Sequence, residues 1–364
     1  MASNETTTEW AVEDSQQLLH HARMLVNLVC CLAAVLGIPA NLFVLIAIFY
    51  FRDMRTISNI YIGNLAAADL LLLAGTPIVI MQSITDDWNF GTFVCKGFIT
   101  GNGISQFASA MFIAVLSFDR YLAVCRPTRS SVLRTRRAAT VVTVMTWAIV
   151  VIENMPLAMF VQVTPLRGSD PGKRKCLLVV KDEGAAMHFS REFFTFYTFT
   201  LSYLLPLMAI WFFYAKIIRK LWRRRQQMHL KRKISKRKTT KVTIMGLSIV
   251  ISYTLCWLPY WLIQWSIVLN IGWNMNLSIL TCASYAAFAL LYINRAVNPF
   301  IYVFLSESFK RNVRRCLKEG SSSGKFQSFQ FTSLRARLQK LDPPSKSQQH
   351  GDDANATSVN QRSK

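Results

Sequence analysis

Acidic residues are scarce in this chain: 19 aspartates and glutamates stand against 42 lysines and arginines, so the formal net charge is +23. The patterns that mark most enzymes are missing too. There is no Cys/His spacing of a metal site, no nucleophile elbow and no glycine-rich phosphate loop, which removes the common routes to catalysis. Neither enzymatic activity nor a cofactor or metal is expected. The polar first 23 residues contain no short apolar core of a cleavable leader, so the first apolar block is expected to act as its own signal anchor. No internal repeat is visible either. That counts against a transporter or channel, the rival class of membrane protein, in which inverted or parallel repeats are frequent.

What the chain has in quantity is hydrophobic residues, 52% of the total. They lie in long uninterrupted blocks and not in the stripes of soluble amphipathic helices. Seven blocks run roughly over 25–51, 57–84, 93–124, 138–163, 193–218, 242–270 and 277–305. Each reaches the length of about 20 residues that crosses a bilayer as a helix. The expected fold class is therefore all-α, a seven-transmembrane helix bundle.

Orientation follows from the basic residues of the short connections. One set of connections holds twenty-four lysines and arginines and the other set seven. Positive residues stay cytoplasmic, which places the N-terminus outside and the C-terminus inside a cell membrane. The run Lys231-Arg232-Lys233-Ile234-Ser235-Lys236-Arg237-Lys238 has the form of a nucleic-acid-binding segment. Between two spans it is explained by topology, and no nucleic-acid partner is expected. The same topology sorts the eight cysteines. Only Cys95 and Cys176 fall in oxidising connections, so by elimination they are expected to form a disulfide.

The boundaries expected are an extracellular tail at 1–23, the bundle at 24–305, an amphipathic membrane-surface helix at 306–318 and a disordered cytoplasmic tail at 319–364. The outer tail carries the sequon Asn4-Glu5-Thr6, a glycosylation site if the tail is extracellular. In the surface helix Phe309, Val313, Cys316 and Leu317 recur at helical spacing against Lys310, Arg311, Arg314 and Arg315. That pattern fits contact with membrane lipid, with Cys316 a palmitoylation site. Within the spans, Asn41, Asn64, Asp69, Ser105, Ser109, Asn294 and Asn298 are too polar to face lipid and should point inward. Prolines at 39, 77, 156, 206, 259 and 299 remove backbone donors and supply bends.

The third block closes on Asp119-Arg120-Tyr121, an ion pair at a membrane-helix end, where it can be held or released. With it stand Asn41, Leu65-Ala66-Ala67-Ala68-Asp69, Cys95, Trp147, Pro206, Tyr214, Cys256-Trp257-Leu258-Pro259 and Asn298-Pro299-Phe300-Ile301-Tyr302, in that order on seven blocks. This ordered set resembles the rhodopsin-like family of G-protein-coupled receptors over about residues 24–318. Lys241-Val242-Thr243 and Trp88-Asn89-Phe90-Gly91 resemble its peptide receptors of somatostatin, opioid, galanin and allatostatin type.

The resemblance implies an extracellular peptide ligand, a heterotrimeric G protein, and regulation by arrestin and a receptor kinase. A receptor of the same fold for a non-peptide ligand is the nearer alternative. It implies an outer pocket of Asn102, Gln106, Tyr260, Gln264, Phe288 and Tyr292, and a switch built from Asp119, Arg120, Tyr121, Tyr214, Trp257, Pro259, Asn298, Pro299 and Tyr302. Two departures matter. Asn102 replaces the aspartate with which amine, opioid and somatostatin receptors bind a cation, and Thr239 replaces an acid that often holds the counterpart of Arg120. A third stands apart: Arg295 occupies the place of a small polar residue that, in the family, holds a sodium ion with the counterparts of Asp69 and Ser109. Arg295 lies ten residues before Leu305, about 15 Å from the inner helix end, too deep to reach water. It is therefore expected to pair with Asp69.

Overall fold

The computed structural model describes residues 2–165, 172–179, 191–226, 233–271, 277–306 and 309–314, with side chains from residue 13 onward except at 131, 224–226 and 233–242. Seven helical stretches are long and apolar enough to span a membrane: Glu13–Tyr50, Ile57–Thr85, Gly91–Cys125, Arg136–Phe160, Arg191–Arg223, Thr243–Val268 and Leu277–Leu305. The fold is the all-α bundle that the apolar blocks predict.

Local chemistry sets where these helices start and break. The first span lies in α1 (Ala2–Tyr50), which runs straight through Pro39 and through the boundary expected at residues 23 and 24. The second is α2 (Ile57–Ala74), capped by the Thr56 hydroxyl on the Asn59 amide, followed after Gly75 by α3 (Thr76–Thr85) with Pro77 in its first turn. A proline is tolerated there because that turn has no use for its N–H. The third is the continuous α4 (Gly91–Cys125), followed by the short α5 (Pro127–Leu133). The fourth is α6 (Arg136–Glu153), capped by Thr135, and α7 (Met155–Phe160), restarted by Pro156 after Asn154. In the fifth, α8 (Arg191–Phe199) passes through a wide π turn at Thr200–Leu204 into α9 (Leu205–Gln226), next to Pro206. The sixth and seventh, α10 (Lys233–Val268) and α11 (Leu277–Leu305), carry Pro259 and Pro299 inside unbroken helices.

The strands β1 (Val161–Pro165) and β2 (Arg174–Leu178) form an antiparallel hairpin between the fourth and fifth spans, with Val163 opposite Cys176. Below it, one hydrophobic core runs through Leu65, Phe112, Leu116, Ile210, Tyr253 and Trp257. A smaller cluster joins Cys30, Leu73, Tyr292 and Ala296. Residues 309–314 are helical, with Phe309 buried. Arg311 pairs with Asp53 at 2.6 Å, and Asn312 donates to the same carboxylate at 3.3 Å. The Arg311 bond is the main reason the Asp53 carboxyl is held below the usual carboxylate range. Val313 and Arg314 begin a second unit, of which they are the described part. Cys316 and the remaining surface helix lie outside the described residues, as do the side chains of Asn4 and Thr239.

Candidate functional site: an outer cavity, a polar core and an inner ion pair

The end of the bundle expected to face outward is organised around the Cys95–Cys176 disulfide, which ties β2 to α4 across a sequence separation of 81. Asp87 prepares this junction by accepting the backbone N–H of Arg174 at 2.7 Å and of Trp88 at 2.8 Å. These bonds, the Arg174 one first, hold its carboxyl below the ordinary carboxylate range. Trp88 is fully buried, donates its indole N–H to the Gly91 carbonyl at 2.8 Å, and packs with Cys95, Val161 and Cys176. Gly91 sits at φ +77°, a conformation that side-chain-bearing residues rarely adopt. Hence the Trp-Asn-Phe-Gly stretch is the plug that seats the hairpin.

Beneath the rim, a cavity of about 330 Å³ is lined by Tyr260, Gln264, Ser284, Tyr285 and Phe288. A second, of about 230 Å³, is lined by Arg23, Asn27, Gln82, Asp86, Lys175 and Phe288. Lys175 and Asp86 form an ion pair at 3.4 Å beside it. Three of the six expected pocket residues, Tyr260, Gln264 and Phe288, thus share one cavity. The other three are placed differently. Gln106 donates to the Ser202 hydroxyl at 2.8 Å, Tyr292 is buried against Phe288 with ring centroids 5.2 Å apart, and Asn102 is half-buried on α4 and lines neither cavity. A bonded amide and a sealed ring are support for the pocket wall.

An aromatic ladder descends from the cavity: Tyr260 to Trp257 at 5.8 Å, then the Trp257 ring to the Arg295 guanidinium at 5.6 Å. There the polar core begins. Arg295 Nη1 donates to Asp69 Oδ1 at 2.9 Å, with the two side chains 1% and 0% exposed. Asn298 donates to Asp69 Oδ2 at 2.8 Å, and the Ser109 hydroxyl to Oδ1 at 3.3 Å. Asn41 donates to the Arg295 carbonyl at 3.3 Å, and Ser252 to Asn294 Oδ1 at 3.1 Å. The sodium arrangement implied by the family does not fit, because a fixed cation already occupies the carboxylate. Asn64 and Ser105 also point inward, accepting from the Trp147 indole at 2.9 Å and donating to the Ala68 carbonyl at 2.6 Å.

At the inner end Asp119 is 4% exposed and multiply held. Arg120 Nη2 reaches Oδ2 at 2.8 Å; Arg134 Nε reaches Oδ1 at 2.6 Å and its Nη2 reaches Oδ2 at 3.2 Å; Ser58 donates at 2.6 Å. Arg134 and Ser58 are partners that sequence reasoning missed. Arg134 follows Arg120 by fourteen positions across a turn, and no periodicity signals that return. Tyr121 contacts Phe213 at 5.5 Å between ring centroids, Tyr214 and Tyr302 are wholly buried, and the Tyr302 hydroxyl meets no partner among the described residues.

Seven spanning helices, a disulfide-braced outer cavity and a carboxylate–arginine cluster at the far end define a heptahelical membrane receptor. The profile of the 7 transmembrane receptor (rhodopsin family) matches residues 40–302, and the chain belongs to that family. It is similar to somatostatin receptor type 5 of Bos taurus, 31% identical over 300 residues covering 80% of this chain and 76% of the relative. It is similar too to somatostatin receptor type 2 of Mus musculus, 33% identical over 285 residues, 78% of this chain and 74% of the relative. Somatostatin receptor type 4 of Rattus norvegicus is 29% identical over 296 residues, 80% and 72%. The chain is a rhodopsin-like G-protein-coupled receptor, a multi-pass membrane protein and not an enzyme.

Proposed function

We propose that this receptor binds an extracellular peptide and passes the signal to a heterotrimeric G protein of inhibitory type. The observation that carries the reading is the composition of the outer cavity: Tyr260, Gln264, Ser284 and Phe288 supply hydrogen-bonding and aromatic groups without a buried carboxylate. A small cationic amine needs such a carboxylate in a low-dielectric pocket. Peptide amides and aromatic side chains do not. The mixed charge of Asp86, Lys175 and Arg23 at the neighbouring cavity suits a ligand larger than a transmitter, held by several contacts. Likeness to receptors named for somatostatin supports the same ligand class.

In this reading the N-terminal tail at 1–23 is extracellular and glycosylated at Asn4, and residues 24–305 form the bundle. The surface helix at 306–318 lies on inner-leaflet lipid with Cys316 palmitoylated. The tail at 319–364 is the cytoplasmic substrate of a receptor kinase and a docking segment for arrestin. Peptide entry is sensed by Trp257 below Tyr260. α10 then swings about Pro259, α11 adjusts at Asn298 and Pro299, and Arg120 leaves Asp119 while Tyr214 and Tyr302 turn toward the opened cleft. The test is a neuropeptide library on cells expressing the receptor and reporting cyclic AMP and calcium. Peptide-dependent suppression of cyclic AMP is the expected result. Activation by amines or lipids alone, or solute flux without any G-protein signal, would overturn the reading.

A further inference from the structure

The guanidinium of Arg295 has two usable edges. Nη1 is spent on Asp69, whereas Nε and Nη2, which form the flat fork that grips an anion with two parallel bonds, have no acceptor among the described residues and are shielded from solvent. Arg295 is 1% exposed, so the fork cannot reach bulk water. Its neighbours do not relieve it. The Trp257 indole Nε1 and the Asn294 Nδ2 are buried donors without acceptors as well. The guanidinium carbon lies over the Trp257 ring, 5.6 Å from its centroid, and Asn294 is the preceding residue on α11. Across this layer four donor nitrogens are unsatisfied among the described residues, against two acceptor oxygens, Asn41 Oδ1 and Asn298 Oδ1, and the Tyr302 hydroxyl, which needs an acceptor for its own proton if it accepts.

An excess of buried donors calls for an acceptor from outside the protein, since buried N–H groups are rarely left unpaired. Water accepts hydrogen bonds but brings two hydrogens that need acceptors of their own, which are in the minority here. A halide accepts from several donors and brings none. We propose that the Nε–Nη2 edge of Arg295 is a binding site for a small monovalent anion, chloride in physiological fluid, assisted by the Trp257 and Asn294 N–H groups. The core of this receptor would then answer to the anion of the medium. Its guanidinium would be shared between the Asp69 carboxylate on one edge and the halide on the other.

The experiment uses the full-length receptor in lipid nanodiscs. Thermal unfolding is followed in sodium chloride, choline chloride and sodium gluconate at one ionic strength, and then in a chloride titration against gluconate. The expected result is a saturable rise in unfolding temperature that follows chloride with either cation. Arg295→Lys keeps a charge for Asp69 but has no fork, and should weaken the apparent chloride affinity by about tenfold or more. If that variant does not fold, Trp257→Phe tests the same site, because it keeps the ring and deletes one donor and should weaken chloride by several-fold. Equal stability in chloride and gluconate would mean that water fills the edge, and the proposal fails. It fails equally if stability follows sodium, or if the chloride response persists unchanged in the variant tested.

Discussion

The hydroxyl of Tyr214 on α9 occupies the space that a side chain at Gly246 on α10 would need: a Cβ at Gly246 would overlap the hydroxyl oxygen and fall 3.2 Å from the ring carbon that bears it. Glycine is required here for close approach, not for backbone freedom, since it lies inside a helix. The contact joins the two helices whose separation would open the inner cleft.

Gly246→Ala should therefore destabilise this closed arrangement. Overpacking of a buried contact costs about 1–3 kcal/mol, and 1.4 kcal/mol is tenfold in a two-state balance. The expected outcome is raised ligand-independent nucleotide exchange in membranes, up to about tenfold. Tyr214→Phe removes the clashing oxygen, so the double variant should fall back toward its own Tyr214→Phe control. Unchanged basal exchange by a normally expressed Gly246→Ala receptor would rule out the clash as a brake.

Asp119 is held more firmly by Arg134 than by Arg120, with two bonds against one. When Arg120 lets go, the carboxylate keeps a cation, so release does not strand a buried charge. Two outcomes follow. Arg120→Ala should keep ligand affinity and lose agonist-driven exchange. Arg134→Ala removes charged hydrogen bonds of about 1.5–3 kcal/mol and should raise basal exchange or lower the unfolding temperature. GTPγS binding with and without agonist separates the two, and full exchange by Arg120→Ala would take that side chain out of the mechanism.

The bundle itself is legible in the sequence because membrane-length apolar blocks leave one fold class. The Cys95–Cys176 bridge is legible by elimination, and the Arg295–Asp69 contact by depth, since a guanidinium about three turns from water has few partners to choose from. Arg134 and Gly246 are not legible. One reaches its partner by the path of a turn, the other by the distance between two helix axes, and neither leaves a period in the chain. Gln106 and Tyr292 have the composition of pocket residues, and the structure places one on the Ser202 hydroxyl and the other against Phe288, itself a residue of the cavity. Polarity marks an inward-facing residue without saying whether it meets a ligand or another helix.

Closing the outer disulfide removes the freedom of an 81-residue separation, which contributes about 4 kcal/mol in the chain-entropy model. Cys176→Ala should lose surface expression or ligand binding, because the hairpin loses its tether to α4. Flow cytometry paired with radioligand binding reads both. Wild-type affinity in a surface-expressed Cys176→Ala receptor would leave the bridge without a role in the outer site.

Asp53 gives a pH signature at the inner end. Its carboxyl is held below the usual range by Arg311 and Asn312, so its stabilisation is complete above the unfolded value near about 4. It is lost as pH falls through the lower folded value. The pair is well exposed, at 38% and 57%, which limits it to about 1 kcal/mol or less. The difference in unfolding temperature between wild type and Asp53→Asn should be small but constant from pH 7 to 5 and shrink as pH falls below the ordinary carboxylate range. A difference that grows on acidification would have the wrong sign.

The pairing of Arg295 with Asp69 carries the sharpest consequence for pharmacology. The family resemblance implies a sodium ion held by the counterparts of Asp69 and Ser109 with a small polar residue where Arg295 stands. Here Nη1 of a covalently attached cation lies 2.9 Å from Oδ1, Asn298 takes Oδ2, and both ionic side chains are essentially inaccessible. Sodium therefore has no free carboxylate to bind, and agonist affinity should be the same in sodium and in N-methylglucamine at one ionic strength. Removing either partner alone strands a buried charge, a loss of about 3–5 kcal/mol. Asp69→Asn and Arg295→Ser should each lower expression and unfolding temperature sharply. The double variant Asp69→Asn/Arg295→Ser leaves no unpaired charge and should recover part of the loss, a positive coupling of the kind neighbouring residues show. Arg295→Ser alone frees the carboxylate and supplies a small polar group, so any of this variant that reaches the surface should gain the sodium sensitivity the wild type lacks. A sodium effect already present in the wild type and abolished by Asp69→Asn would show that the ion, and not Arg295, neutralises the carboxylate.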